Sequence, residues 1–351
     1  MISPTAPQQR MLSIIREKGT MRSSELHAAL IKLHEDVSLV SVKRALSGMT
    51  KDGFLSVSGA GRSTAYTLSA PGRFLTPVDA RKYCAMEPDR RSGATSFSVD
   101  LFRDVPTELF TNDESAILRL ATKEYAKRTK HISPTIAKKE MERLVIELSW
   151  KSSKIEGNTY TLLDTEKLLL EQKEAPGHRR DEAQMILNHK DAFALIYEHA
   201  RDFRTLTRAN LEHLHAIIVR GLNVGSGLRK APVGVLGSRY QPLDNIHQIT
   251  DAIQILAASV SRMQSTYAKA LLSLLGISYI QPFEDGNKRT SRLMANALLL
   301  AHKCAPLSYR SVDETEYRDA TIVFYELHSI VPLKKIFIEQ YDFAARHYAL
   351  A

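Results

Sequence analysis

The sequence predicts a mainly α-helical chain that opens with a small α+β segment. Three observations carry this. From Asp113 onward, nine segments repeat apolar residues at three-to-four spacing. Between them one stretch, Ala231 to Pro242, is β-prone and bounded by Gly and Pro. Residues 1–70 instead read as helix, helix, helix, hairpin. The 351 residues suit two or three domains. With 44% hydrophobic and 25% charged residues, disorder and fibrous repeats are excluded as descriptions of the whole chain.

In chain order, Gln8 to Lys18 places Met11, Leu12, Ile14 and Ile15 on one face, and Gly19 ends that helix. Ser23 or Ser24 can cap a second helix carrying Leu26, Ala29 and Leu30. Ser38 or Ser41 can cap a third, with Val42, Ala45, Leu46 and Met49 inward and Lys43, Arg44 and Lys51 outward. Strands over 54–57 and 65–68 then flank a Gly-rich tip bearing Arg62. Pro71, Gly72, Pro77 and Pro88 break residues 71–112 into a connector, with room for a small hairpin. Helices are expected over 113–130, 135–155, 163–174, 180–200, 207–222, 246–264, 266–280, 287–303 and 313–348. Residues 231–242 are expected to form a hairpin set into this bundle, and no internal repeat is present.

No apolar run approaches the roughly 18 residues that cross a bilayer, so no membrane partner is expected. The N-terminus lacks the apolar stretch of a signal peptide. The two cysteines, Cys84 and Cys304, read as buried, reduced thiols of a cytoplasmic protein. Net charge is +9, which suits an anionic partner. Residues 1–70 hold nine Lys/Arg against five Asp/Glu, so part of the excess sits there.

The segment Gln281-Pro-Phe-Glu-Asp-Gly-Asn-Lys-Arg-Thr-Ser-Arg292 is the most informative. It joins an apolar helix ending at Ile280 to one beginning near Asn287. A helix N-terminus offers free N–H groups and a positive dipole end to phosphate. Lys288, Arg289 and Arg292 add cations, and Asp285 is a hard oxygen donor suited to Mg²⁺. A plain helix start with solvated charges fits the spacing equally well.

The segment resembles the signature of the Fic family, His-Pro-Phe-x-Asp/Glu-Gly-Asn-Gly/Lys-Arg with a second Arg shortly after. The resemblance extends over roughly residues 113–345, and Gly237, Ser238, Arg239 and Tyr240 resemble the family's flap hairpin, which aligns the target segment. It implies a bundle of α-helices, residues 113–351, that uses ATP and Mg²⁺ to transfer AMP to a hydroxyl of a target protein. It further implies that Asp285 holds Mg²⁺, that Gly286, Asn287 and Lys288 bind phosphates, that Arg289 supports them in catalysis, and that Arg292 grips the γ-phosphate. A homodimer is also implied.

Two positions depart from that pattern. Gln281 stands at the place of the catalytic histidine, and a carboxamide cannot act as imidazole does near neutrality. Lys288 stands where many AMP-transferring members have Gly, as in Doc relatives that transfer phosphate. Ser152 with Glu156, Gly157 and Asn158 resembles the family's inhibitory motif, on a helix over about 135–158, whose glutamate pairs with the second arginine. The order of elements in 1–70 resembles the winged helix-turn-helix domain of bacterial regulators. That resemblance implies DNA contacts by Ser41, Lys43, Arg44 and Lys51 on the third helix and by Arg62 on the wing. The chain is therefore expected to be an autoinhibited adenylyltransferase weakened by Gln281. The alternatives are a catalytically silent Fic fold in a nucleotide-responsive DNA-binding regulator, and a Doc-like phosphotransferase.

Overall fold

The structure, a computed structural model, describes residues 4–350. The N-terminal part contains α1 (Ala6–Lys18), β1 (Met21–Arg22), α2 (Ser23–Lys32), α3 (Leu39–Lys51), β2 (Leu55–Ser58) and β3 (Ala65–Leu68). The sheet is antiparallel in the order β1-β3-β2, with Leu55 opposite Leu68 and Met21 opposite Tyr66. Met11, Leu12, Ile15, Leu26, Leu30, Val42, Leu46, Met49 and Phe54 make its core, as the periodicity requires. Ser38 caps α3 by accepting the Ser41 N–H at 3.1 Å. The expected serine cap of α2 is replaced: Arg22 is the N-cap, and the Glu25 carboxylate accepts its N–H at 2.7 Å. β1, two residues long, carries no sequence signal of its own.

The connector is more ordered than expected. It holds α4 (Ala70–Leu75), α5 (Ala80–Cys84) and α6 (Asp100–Arg103). Pro71 opens α4 rather than breaking it, because a first-turn proline forfeits no helical hydrogen bond. Phe74, Leu101, Phe102, Leu109 and Phe110 sink into the main core. No hairpin forms here; Ser96 makes an isolated parallel bridge with Gln241.

The bundle follows: α7 (Asn112–Thr129), α8 (Pro134–Ile155), α9 (Leu162–Glu171), α10 (Arg180–Glu198), α11 (Arg208–Ile218), α12 (Ile246–Arg262), α13 (Thr266–Ile280), α14 (Asn287–Ala301), α15 (Glu314–Leu327) and α16 (Val331–His347). α13 is its axis, buried at every position from Ala270 to Ile280. Two expectations change. The helix expected over 313–348 is two helices, because His328 turns left-handed at φ 57° and Pro332 starts α16. Residues 231–242 form two legs without strand pairing to each other around a turn at Gly237, rather than a laddered hairpin. Pro232 and Pro242 cannot donate, and the Gln241 N–H goes to the Thr95 carbonyl instead, at 2.9 Å. Cys304 is buried, whereas Cys84 is only half-buried; both thiols are free. Burial raises them to about 11 and about 12. No helix among the described residues is long and apolar enough to cross a membrane.

Candidate active site

The loop 281–286 is shaped by the ends of the two helices it joins. Gln281 stops α13 by adopting φ 51° and ψ 59°, and Pro282 prevents resumption. Its side chain turns back, Nε2 donating to the Ser278 carbonyl at 2.6 Å. Phe283 is fully buried, with its ring stacked on His215 at 3.7 Å between centroids. His215 Nε2 donates to the Asp285 carbonyl at 3.0 Å. Burial, offset only in part by that hydrogen bond, lowers the imidazole to about 4, so it stays neutral as a donor. The Asn287 side chain accepts the Phe283 N–H at 2.9 Å and donates to the Phe283 carbonyl at 2.8 Å. Asn287 therefore closes the loop with its side chain.

Gly286 is the N-cap of α14, at φ 77°. Any Cβ there would lie 3.1 Å from Ile218 of α11, so both conformation and space call for glycine. It brings no side chain to cap the first N–H groups of α14, which stay available to an anion. Arg289 is nearly buried and donates to the Asp285 carboxylate at 2.9 Å. That carboxylate is 64% exposed. Nη1 of Arg289 and of Arg292 are both buried and have no acceptor.

The end of α8 reaches the same place. Arg292, fully buried, donates through Nη2 to Glu156 Oε1 at 2.8 Å and to the Ser152 carbonyl at 2.8 Å. Its Nε donates to Ser152 Oγ at 2.8 Å. The Ser152 hydroxyl is thereby left to donate to His189 Nε2, 2.8 Å away. Lys288 lies 3.5 Å from the other Glu156 oxygen. Burial works to raise the Glu156 carboxyl, but Arg292 and Lys288 outweigh it and hold it below the ordinary carboxylate value. Gly157, at φ 94°, follows as the C′ residue. Asn158 donates to the Glu182 carbonyl at 2.9 Å, fixing the next turn.

Glu156, Gln281, Asp285, Gly286, Lys288 and Arg289 line a cavity of 210 Å³, closed on one side by Val233 to Leu236 of the 231–242 loop. The four expected loop residues separate. Tyr240 is core, its hydroxyl donating to the Tyr279 carbonyl at 2.7 Å. Ser238 faces inward and Arg239 donates to the Arg91 carbonyl at 3.1 Å. Leu236 is almost wholly exposed at the tip.

Arg229 was not foreseen. It is buried, donates to Gln281 O at 2.6 Å and Ala231 O at 2.9 Å, and also reaches Leu243 O. A lone arginine after Gly227 gives no such hint. In the N-terminal part, Ser41, Lys43, Arg44, Lys51 and Arg62 are all exposed. Those four cations have no carboxylate partner among the described residues.

Residues 205–299, spanning α11 to most of α14, match the model of the Fic/DOC family. The chain carries a Fic/DOC family domain. Protein adenylyltransferase Fic of Culex quinquefasciatus is 26% identical over 213 residues, 59% of this chain. The aligned part is 42% of that relative, so the chain spans less than half the length of the curated protein it matches. Fic-1 from C. elegans superposes with a TM-score of 0.59 at 16% identity, over 67% of this chain and 72% of that one. A Fic domain containing signaling protein from Bacteroides thetaiotaomicron gives 0.55 at 19% identity, over 66% and 96%. A Fic family protein from Desulfovibrio desulfuricans gives 0.53 at 19%, over 69% and 75%. At these identities the likeness is one of fold.

Proposed function

We propose that the Fic domain binds ATP at the N-terminus of α14 and is a protein adenylyltransferase held inactive by Glu156. The observation that carries this reading is the contact of Glu156 with Arg292 beside two further cations, Lys288 and Arg289, and an uncapped helix start. The donor set suits a polyphosphate, since two buried guanidinium nitrogens have no acceptor of their own. The cavity of 210 Å³ is small for a whole nucleotide, which usually needs about 300 Å³ or more. Withdrawal of Glu156 would enlarge it and free Arg292. Asp285 would hold Mg²⁺ together with phosphate oxygens; among the described residues no cluster of three metal-binding side chains occurs. Bound ATP supplies the AMP group and its pyrophosphate leaving group. Arg289 and Arg292 orient the phosphates and stabilise their charge. Gln281 cannot take the target hydroxyl's proton, so transfer is slow.

A second reading is favoured by Gln281 and by the unpaired cations of α3 and the 59–63 turn. In it the N-terminal part is a winged helix that binds DNA, and the Fic domain senses nucleotide for it. Both readings are tested by incubating wild type, Glu156→Gly and Glu156→Gly/Gln281→His with α- or γ-labelled ATP. The double variant should incorporate α-label faster than Glu156→Gly by about 10²–10⁴-fold, the usual worth of a general base. Label incorporated only from the γ-position would indicate Doc-like phosphotransfer. No incorporation by any variant that still binds ATP would favour the sensor.

A further inference from the structure

Glu326, on α15, is buried and does not line the cavity at the α14 helix start, yet it gathers three segments of the chain. Its Oε1 accepts from Ser238 Oγ at 2.5 Å and from Arg91 Nη1 at 3.2 Å. Its Oε2 accepts from Tyr83 Oη at 2.7 Å. Its backbone carbonyl accepts the Ala94 N–H at 2.7 Å. Arg91 spans the same gap, donating also to the Gly237 carbonyl at 2.9 Å and the Met86 carbonyl at 3.0 Å. Side-chain exposure is 5% for Arg91 and 2% for Glu326, so this is a dry, hydrogen-bonded ion pair. Gly93 permits the approach: a Cβ there would lie 2.6 Å from Tyr83 Oη and 2.7 Å from Glu326 Cβ.

We propose that Glu326 and Arg91 are positioning residues for the 231–242 loop, and that the 80–98 segment is a built-in brace for that loop rather than a linker. The loop cannot brace itself, because it forms no internal ladder. Its outer leg is held through Ser238 and Gly237 on this pair, through Arg239 on the Arg91 carbonyl, through Tyr240 in the core, and through the Gln241 N–H on Thr95. Its inner leg, Val233 to Leu236, walls the cavity at α14. The brace therefore sets how the wall stands over the cavity. A buried charge pair suits the task, since neither partner tolerates loss of the other, and Arg91 satisfies the Gly237 carbonyl while Glu326 takes the Ser238 hydroxyl. The proposal rests on the reading of that cavity as the nucleotide site only for its effect on transfer; the bracing itself does not.

The test is hydrogen exchange of loop amides in the full chain, comparing wild type with Glu326→Gln, Arg91→Gln and Ser238→Ala. The amides of Ser238 and Tyr240 are bonded to Val235 O and Ser238 Oγ, so they report the loop directly. Glu326→Gln and Arg91→Gln should speed the exchange of both amides about tenfold or more, the equivalent of one charge-assisted hydrogen bond, whereas Ser238→Ala removes the Tyr240 amide's own acceptor and is read at the residue 238 amide alone. Exchange in α13 should stay at wild-type protection, and so should ATP affinity. Should Glu326→Gln not fold, the paired Arg91→Met/Glu326→Met variant removes both charges together and should show the same faster loop exchange. Unchanged exchange at Ser238 and Tyr240 in folded variants overturns the proposal. Faster exchange in a chain that binds no ATP upholds the brace and refutes the nucleotide reading instead. Where Glu156→Gly transfers label, adding Glu326→Gln should lower the self-labelling rate while leaving ATP affinity as it was.

Discussion

Ser152 and Glu156 illustrate how much one residue can hold. Ser152 offers Arg292 a hydroxyl and a carbonyl, and Glu156 adds a carboxylate, so a fully buried guanidinium has three acceptors from one turn of α8. Ser152→Ala leaves Arg292 Nε buried without an acceptor. We expect a loss of about 1.5–3 kcal/mol in urea unfolding, the usual penalty for a charged donor left unmet; a loss below about 0.5 kcal/mol would show that Nε finds another partner. Glu156 acts differently, because it is 19% exposed at the cavity wall. Glu156→Gly should tighten ATP·Mg²⁺ binding at least tenfold by calorimetry, since it frees both Arg292 and Lys288. Its depressed pKa sets the pH window: the pair is intact above the ordinary carboxylate value and loosens only as pH falls through the lower folded value, so the tightening should be constant across neutral pH.

Elements were legible in the sequence where periodicity was long and ends were marked. α13 was read over 266–280, as found, and α8 and α14 were equally plain. The motif and Glu156 could be read because both segments resemble signatures of the Fic family; spacing by itself fitted a plain helix start and a plain helix end equally well. What escaped was fixed by distant partners. α4 to α6 are four to six residues long and owe their place to Phe74, Leu101 and Phe102 in the main core. Glu326 meets Arg91 and Tyr83 across 235 and 243 residues, which no local pattern encodes. Arg229 belongs to the same class: it staples the end of α13 to both bases of the 231–242 loop. Arg229→Met keeps the bulk but leaves those carbonyls without a donor. At about 1–3 kcal/mol for each unmet buried group, the variant should lose about 3 kcal/mol or more in thermal or urea unfolding. It should also weaken ATP binding, because the 281–286 loop would lose its hold on Arg229.

At the scale of the whole molecule, the polar groups packed between helices make folding sensitive to acid. His189, His215 and His328 lie on α10, on α11 and between α15 and α16, and all are buried. Desolvation lowers them to about 3, about 4 and about 4, and nearby arginines push the same way: Arg292 and Arg289 on His189, Arg289 on His215, and Arg73 and Arg16 on His328. Each is neutral in the fold and takes a proton readily once unfolded, near pH 6.5. The sign follows from proton uptake. Between about pH 6.5 and 4 the unfolded chain binds more protons than the native one, so stability falls as pH falls through that window and is complete above it. Three such groups together give a slope of up to about 4 kcal/mol for each pH unit, at about 1.4 kcal/mol each. That is large beside the 5–15 kcal/mol that typically separates folded from unfolded protein. The depressed carboxylate of Glu156 adds to the loss only below its ordinary range, so the onset near pH 6.5 belongs to the histidines. Urea unfolding at a series of pH values should show a flat midpoint above about pH 7 and a steep decline below about pH 6. Replacing His215 by Gln, which keeps a donor for the Asp285 carbonyl, should reduce that decline by about a third. A midpoint that holds steady down to pH 4 would mean that the imidazoles are hydrated or protonated in the native state.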